Sequence, residues 1–154
     1  MSLNFSIPGV GELKLEHLLL DQNGTLSYRG DLIDGVAERL AQLRERLDIQ
    51  ILTADTFGTL EAVTAELGVN GQRVQDGAEK RAFIERLGGD SCIAIGNGHN
   101  DVAMLQIARV AICVNGPEGM STAAAAASHI VCSSIASALD LLLDERLLIA
   151  TMRS

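Results

Sequence analysis

The sequence predicts an α/β fold, a central parallel sheet with helices on both faces, and three observations carry that reading. Leu18-Leu19-Leu20 is a short apolar run that ends in Asp21 and a turn, Gln22-Asn23-Gly24-Thr25. Ile93-Ala94-Ile95 repeats the design before Gly96-Asn97-Gly98-His99-Asn100-Asp101. Further short apolar runs alternate with stretches of helical periodicity, the pattern of parallel strands joined by helices. A strand buried on both faces reads as a continuous apolar run, and ligands bind beyond the carboxyl ends of such strands. Asp21 and the Asn97–Asp101 segment therefore stand where side chains leave the core and can meet a ligand.

The elements follow in order. Leu3–Ile7 and Glu12–Leu20 read as strands around the turn signal Pro8-Gly9-Val10-Gly11, a hairpin feeding the first central strand. Tyr28–Asp31 reads as a polar loop. Asp34 is the expected N-cap of a helix over Gly35–Leu47, with Val36, Leu40, Leu43 and Leu47 on one face. Ile49–Thr53 is the next strand. A helix starting at Asp55 or Thr56 ends at Leu67, with Gly68 as its cap. Val69–Val74 is a short strand, and Glu79–Leu87 a helix closed by Gly88-Gly89. Ser91–Ile95, Val110–Val114 and His129–Val131 are the remaining strands. Helices at Val102–Ala108, Gly119–Ala127 and Ile135–Ile149 fill the gaps. Ala123–Ala127 reads as closely packed helix.

Composition narrows the function classes. At 154 residues the chain is expected to form one domain with a proper core, and 47% hydrophobic with 21% charged residues fits a globular protein. A net charge of −8 argues against nucleic acid and anionic membrane as partners, because both need a basic face. An anionic substrate would be attracted by local charge rather than by the protein's overall field. Cys92, Cys113 and Cys132 are odd in number, lack zinc-ligand spacing and sit in or beside predicted strands, so they read as small buried residues. No signal peptide or membrane-spanning run is read from the sequence, since Leu139–Ile149 is interrupted by Asp140, Asp144, Glu145 and Arg146. The expected compartment is the cytoplasm. Gly9-Val10-Gly11 precedes the first central strand instead of following it, which argues against a dinucleotide-binding turn.

Four segments in order resemble the motifs of the haloacid dehalogenase-like (HAD) phosphohydrolases. Asp21-Gln22-Asn23-Gly24-Thr25 resembles the first, Asp-x-Asp-Gly-Thr, or the Asp-Lys-Thr-Gly-Thr form of P-type ATPases. Ile51-Leu52-Thr53 resembles the second, Lys80 the third, and Gly96-Asn97-Gly98-His99-Asn100-Asp101 the fourth, Gly-Asp-Gly-x-Asn-Asp. Val110 to Val131 is similar to the stretch after the fourth motif in P-type ATPases, which points to a soluble, P-type-ATPase-like branch. The resemblance implies a single HAD-like Rossmannoid core over residues 1–154. Leu26 to Asp34 and Thr53 to Lys80 are too short for a large cap domain. An uncapped mouth leaves room for a second subunit to cover it in a homo-oligomer.

The resemblance also implies roles. Asp21 would be the nucleophile that forms an aspartyl-phosphate on a small phosphorylated substrate. Thr53 and Lys80 would stabilise the phosphoryl oxygens, and Asn23 completes the expected catalytic set. Gly24, Thr25, Ala54 and Asn100 fall at substrate-binding positions. Asp21, Asn23 through its carbonyl, Asn97 and Asp101 would hold Mg2+. His99 reads as a turn residue.

Two positions depart from the pattern. Family phosphatases have a second Asp, their general acid and base, where this chain has Asn23; losing such a group costs about 10²–10⁴-fold in rate. Asn97 stands where the family has a metal-binding Asp, removing one negative charge. The expectation is a slow phosphohydrolase with weak metal binding that favours leaving groups needing no proton. The alternatives are a phosphoserine-phosphatase-like enzyme, which Asn100-Asp101-Val102-Ala103-Met104-Leu105 also resembles, and a phosphate-binding or regulatory module that has lost turnover. Asn23-Gly24 and Asn97-Gly98 are also deamidation-prone pairs, and conversion to Asp would restore the common motif at each.

Overall fold

A computed structural model describes residues 1–154. Six parallel strands form the central sheet: β3 (His17–Leu20), β6 (Asp48–Thr53), β7 (Asn70–Arg73), β8 (Cys92–Gly96), β9 (Val110–Val114) and β10 (Ile130–Cys132). Their spatial order is β10-β9-β8-β3-β6-β7, every neighbouring pair being parallel. The chain leaves β3 on one side to form β6 and β7, then returns to its other side for β8. That reversal at the carboxyl end of β3 creates the crevice where open α/β sheets take their ligands.

The two faces of the sheet differ in residue size. Leu18, Leu20, Ile49, Ile51, Ile93, Ile95, Val110, Ile112 and Val114 share the larger apolar cluster. Four helices join it: α1 (Val36–Leu43), α2 (Leu60–Leu67), α6 (Ile135–Leu143) and α7 (Glu145–Met152). The alternate residues Leu19, Leu52, Cys92, Ala94, Ala111 and Cys113 form the other cluster. They meet α3 (Gly77–Leu87), α4 (Val102–Ile107) and α5 (Thr122–Ala126). Because side chains alternate across a strand, the Ile-Ala-Ile pattern of β8 places branched bulk on one face and small residues on the other. All three cysteines are buried and free, as their composition and spacing predict.

The parallel central sheet, the helices on both its faces and the absence of a large inserted cap match the sequence-based reading; several boundaries do not. Glu12–Leu20 is two strands. Leu3–Ile7 (β1) and Gly11–Leu15 (β2) form their own antiparallel hairpin, and the chain then turns at Glu16 into β3. Leu3, Ile7, Leu13 and Leu15 must face the core from outside the main sheet, which a continuous strand could not achieve. Tyr28–Asp31 belongs to a short hairpin, β4 (Ser27–Tyr28) and β5 (Asp31–Leu32), turned by Arg29 and Gly30 at positive φ. Asp34 is not the cap of α1; Gly35 holds that place, and no side chain caps the helix. The helix ends at Leu43, short of Leu47.

Helix α2 starts at Leu60 rather than at Asp55 or Thr56. Asp55 caps it from a distance, its carboxylate accepting from the Leu60 N–H at 3.0 Å. Helix α5 starts at Thr122, later than Gly119, because Gly116–Gly119 is a tight turn. The single helix expected over Ile135–Ile149 is broken at Asp144, whose backbone is extended and whose carboxylate accepts from the Arg146 N–H. No helix is long and apolar enough to cross a membrane.

Leu20 is fully buried in the larger cluster, next to the residue that matters most for the site. Leu20→Ala should destabilise the protein by about 2–5 kcal/mol in urea unfolding. Leu147→Ala, at a position 46% exposed, should stay within about 0.5 kcal/mol of the parent.

Candidate active site

The carboxyl ends of β3, β6 and β8 bring the four sequence segments together. β3 lies between β6 and β8, with Leu20 level with Ile51 on one side and Ile95 on the other. Asp21 follows Leu20, and its N–H donates to the Ile95 carbonyl at 3.0 Å. Its side chain thus emerges at the centre of the crevice, with Thr53 ending β6 beside it.

Lys80 provides the tie. Asp76 caps α3 by accepting from the Glu79 N–H, so the helix starts here and carries Lys80 in its first turns. The Lys80 ammonium is 1% exposed and donates to Asp21 Oδ1 at 2.8 Å and to Asp101 Oδ1 at 2.7 Å. Asp101 Oδ2 accepts from the N–H groups of Asn97 and Gly98, both at 3.0 Å. A Cβ on Gly96 would stand 2.5 Å from the Asp101 carboxyl, so glycine is what lets Asp101 lie across the strand end. Both Asp101 oxygens are therefore engaged in holding Lys80 and the fourth-motif turn. On the other side, the Thr25 hydroxyl lies 3.0 Å from Asp21 Oδ2 and 3.3 Å from Asn97 Oδ1.

Burial sets the electrostatics. Asp21 is pushed up to about 6 from its ordinary 3.8, first by burial and then by the charge of Asp101, with Lys80 and Thr25 pulling it down. The Lys80 ammonium is held above its ordinary value because the attraction of Asp21 and Asp101 outweighs a large burial penalty. Removing either carboxylate would leave a charge poorly compensated in the core, a loss that typically costs about 3–5 kcal/mol.

Around Asp21 lie polar groups without partners. The backbone N–H groups of Gln22, Asn23 and Ala54 donate to no protein oxygen. The Asn23 side-chain oxygen is buried without a hydrogen-bond partner, and its backbone carbonyl accepts none. Thr53 is buried, and its Oγ accepts from the Asp55 N–H at 3.0 Å, which leaves its hydroxyl proton free to donate elsewhere. Ala54 and Asn100 are exposed, with the Asn100 side chain beside Gly98 and making no bond to Asp21. Free donors facing a strand end suit an anion.

The donor set also fits a hard cation. Asp21, the two oxygens of Asn23 and Asn97 Oδ1 are all oxygen ligands, the type Mg2+ prefers while keeping several waters. No three His, Cys, Asp or Glu side chains converge to form a closed metal cage. Asp101, expected among the metal ligands, bonds to Lys80 and to the N–H groups of Asn97 and Gly98.

Two contributors were not singled out in the sequence. Gln22 is fully buried and donates from Nε2 to Thr59 Oγ at 2.8 Å, linking the first motif to the start of α2. Glu118 stands over Gly24; its signal was the turn-forming Gly116-Pro117-Glu118-Gly119.

A parallel sheet with a carboxylate at the central strand's end, joined to a helix-borne lysine, defines a hydrolase core of the haloacid dehalogenase type. A family model for haloacid dehalogenase-like hydrolases matches residues 6–109, more than half of the chain, and the chain belongs to that family. Among relatives, an uncharacterised protein of Methanocaldococcus jannaschii is 51% identical over 61 residues, 40% of this chain and 66% of that protein, so the match spans just under two thirds of the relative's length. The fold resembles 3-deoxy-D-manno-octulosonate 8-phosphate phosphatase from Moraxella catarrhalis, solved with magnesium, phosphate and KDO: TM-score 0.66, 18% identity, 90% of this chain and 94% of that one. It also resembles the catalytic domain of the CPx-ATPase CopB-B, with TM-score 0.62 and 25% identity over 73% of this chain and 46% of that one.

Deamidation of an Asn-Gly pair requires the glycine nitrogen to attack the Asn side-chain carbon. Here the Gly24 N–H is bonded to the Ser27 carbonyl at 2.8 Å and the Gly98 N–H to Asp101. Asn97 is further pinned by Thr25 and by its own Nδ2 donating to the Gly119 carbonyl at 3.2 Å. Peptide mass mapping of folded protein aged at neutral pH should therefore find both amides intact, whereas urea-unfolded protein should gain the deamidation mass at both; a gain at Asn97 in the folded state would contradict the geometry.

Proposed function

We propose that this protein is a magnesium-dependent phosphohydrolase that acts through an aspartyl-phosphate on a small phosphorylated molecule. The observation that carries the reading is the buried Asp21 carboxylate, aimed out of the central strand and shared with Thr25 and Lys80. The substrate phosphoryl group would lie against the free N–H groups of Gln22, Asn23 and Ala54, with the Thr53 hydroxyl completing the cradle. Asp21 attacks phosphorus in line, the bond to the leaving group breaks, and Lys80 offsets the negative charge gathered there. Water then attacks the aspartyl-phosphate, releasing phosphate and restoring Asp21. Asp101 acts by holding Lys80. Asp21, Asn23 and Asn97 would hold Mg2+, which supplies charge neutralisation at the phosphoryl oxygens when bound.

Position 23 offers an amide, which does not titrate and cannot deliver a proton to the leaving group. Turnover should thus favour acyl phosphates and other good leaving groups over alkyl phosphates. The magnesium-bound phosphatase and the CPx-ATPase domain with similar folds support the phosphoryl-transfer reading.

Wild type with magnesium should release phosphate from acetyl phosphate faster than from an alkyl phosphate, and chelator should abolish both. Asp21→Asn should remove about all of the activity, of order 10³-fold or more, because an amide is a far weaker nucleophile. A folded Asp21→Asn protein with wild-type turnover would overturn the reading.

The metal should also report on Asp21. A cation binds the deprotonated carboxylate, so binding competes with the proton. For the metal-free protein the sign is the reverse: the native state keeps the Asp21 proton up to about 6 while the unfolded chain has lost it, so this group's contribution to stability falls as pH rises from 3.8 through 6. Magnesium should therefore raise the unfolding temperature above pH 6 and lose that effect as the pH falls below it, measured by thermal unfolding with and without chelator.

A further inference from the structure

The turn Gly116–Gly119 after β9 is docked on the site by several independent contacts. Its own hydrogen bond runs from the Gly119 N–H to the Gly116 carbonyl at 2.9 Å. Asn97 Nδ2 donates to the Gly119 carbonyl at 3.2 Å, and the Ser121 N–H donates to the Asn97 carbonyl at 2.7 Å. A Cβ on Gly116 would stand 2.6 Å from the Gly24 carbonyl oxygen, so two backbones meet there without side chains between them. The turn is thereby clamped to both the first and the fourth motif.

Glu118 is the residue this clamp delivers. A Cβ on Gly24 would stand 2.7 Å from Glu118 Oε2 and 2.7 Å from Asn97 Nδ2. The carboxylate and the amide therefore stand side by side over the same backbone atom. Glu118 makes no salt bridge. Asn97 points its oxygen toward the Thr25 hydroxyl and its nitrogen toward the turn. An Asp at position 97 would set a carboxylate oxygen against the Gly119 carbonyl and break the clamp. The amide thus trades a local negative charge for a docked turn, and the docked turn brings a negative charge back.

We propose that Glu118 is the acidic residue of the cation site, supplying from the Gly116–Gly119 turn the carboxylate that Asn97 lacks. The ligand class is a hard divalent cation, held by Asp21, the Asn23 oxygens and Asn97 Oδ1, with Glu118 adding the carboxylate charge directly or through the water shell. The proposal rests on the phosphohydrolase reading for the place of the cation, but its test is binding and needs no turnover.

Calorimetric titration of the metal-free protein with Mg2+ alone, for wild type and Glu118→Gln, decides it. Glu118→Gln should bind Mg2+ about tenfold or more weakly, and Glu118→Ala should do the same. Both variants should keep the wild-type metal-free unfolding temperature, because the side chain is exposed and unpaired. Mg2+ affinity unchanged in Glu118→Gln would overturn the proposal, and so would wild type that binds no Mg2+. Tight, Glu118-dependent binding without any phosphate release would uphold the proposal and overturn the phosphohydrolase reading, so the two fail separately.

Discussion

The Lys80 ammonium, buried between Asp21 and Asp101, is the contact on which the rest of the arrangement depends. A lone ammonium at this depth could not stay charged, and Asp21 and Asp101 supply the two carboxylate oxygens that hold it. The trio is stable as a set, and the set dictates structure far from itself. Helix α3 must begin at Asp76 so that Lys80 reaches the strand ends. Gly96 must lack a side chain so that Asp101 can cross over it. The N–H groups of Asn97 and Gly98 must turn inward to satisfy the second Asp101 oxygen. A buried charge network of this kind is a poor investment in stability alone, since apolar residues of similar volume often do as well; its value lies in holding Asp21 ionisable at a strand end.

That arrangement links sheet asymmetry to chemistry. On the small-residue face, Ala94, Cys92, Ala111 and Cys113 share one buried cluster with α3 and α4. The branched residues on the other face anchor β3 against α1 and α6. Asp21 is fixed by the strand and Lys80 by the helix, so their separation is set by the packing of two rigid elements rather than by a loop. The loops carry what remains variable: Ala54 after β6, Asn100 in the fourth motif, and the Gly116–Gly119 turn.

Much of this was legible in the sequence because it rests on local pattern. Leu18–Leu20 and Ile93–Ile95 announce buried parallel strands by continuous apolarity, and Asp21, Thr53, Lys80 and Asp101 sit at ends or first turns that strand and helix signals locate. What the sequence did not reveal depends on contacts between distant segments. Asp34 looked like a helix cap, yet the chain turns through Gly35 at positive φ and leaves α1 without a side-chain cap. Asp144 looked like one charge within a long apolar helix, although its carboxylate starts a new helix instead. Asp101 was legible as a motif residue, but its bonds to Lys80 and to the Asn97 and Gly98 N–H groups appear only in three dimensions. Asn97 looked like a lost carboxylate, while its amide nitrogen has a partner, the Gly119 carbonyl, 22 residues on. Glu118 had no local signal beyond the turn that carries it.

The proposed mechanism requires Asp21 to become covalently phosphorylated. Protein incubated with acetyl phosphate and magnesium, quenched in acid and digested, can be mapped by peptide mass. A phosphoryl group is expected on the peptide containing Asp21, labile to hydroxylamine and missing in Asp21→Asn. Phosphate release with no acyl-phosphate at Asp21, or with one on a different residue, would contradict it.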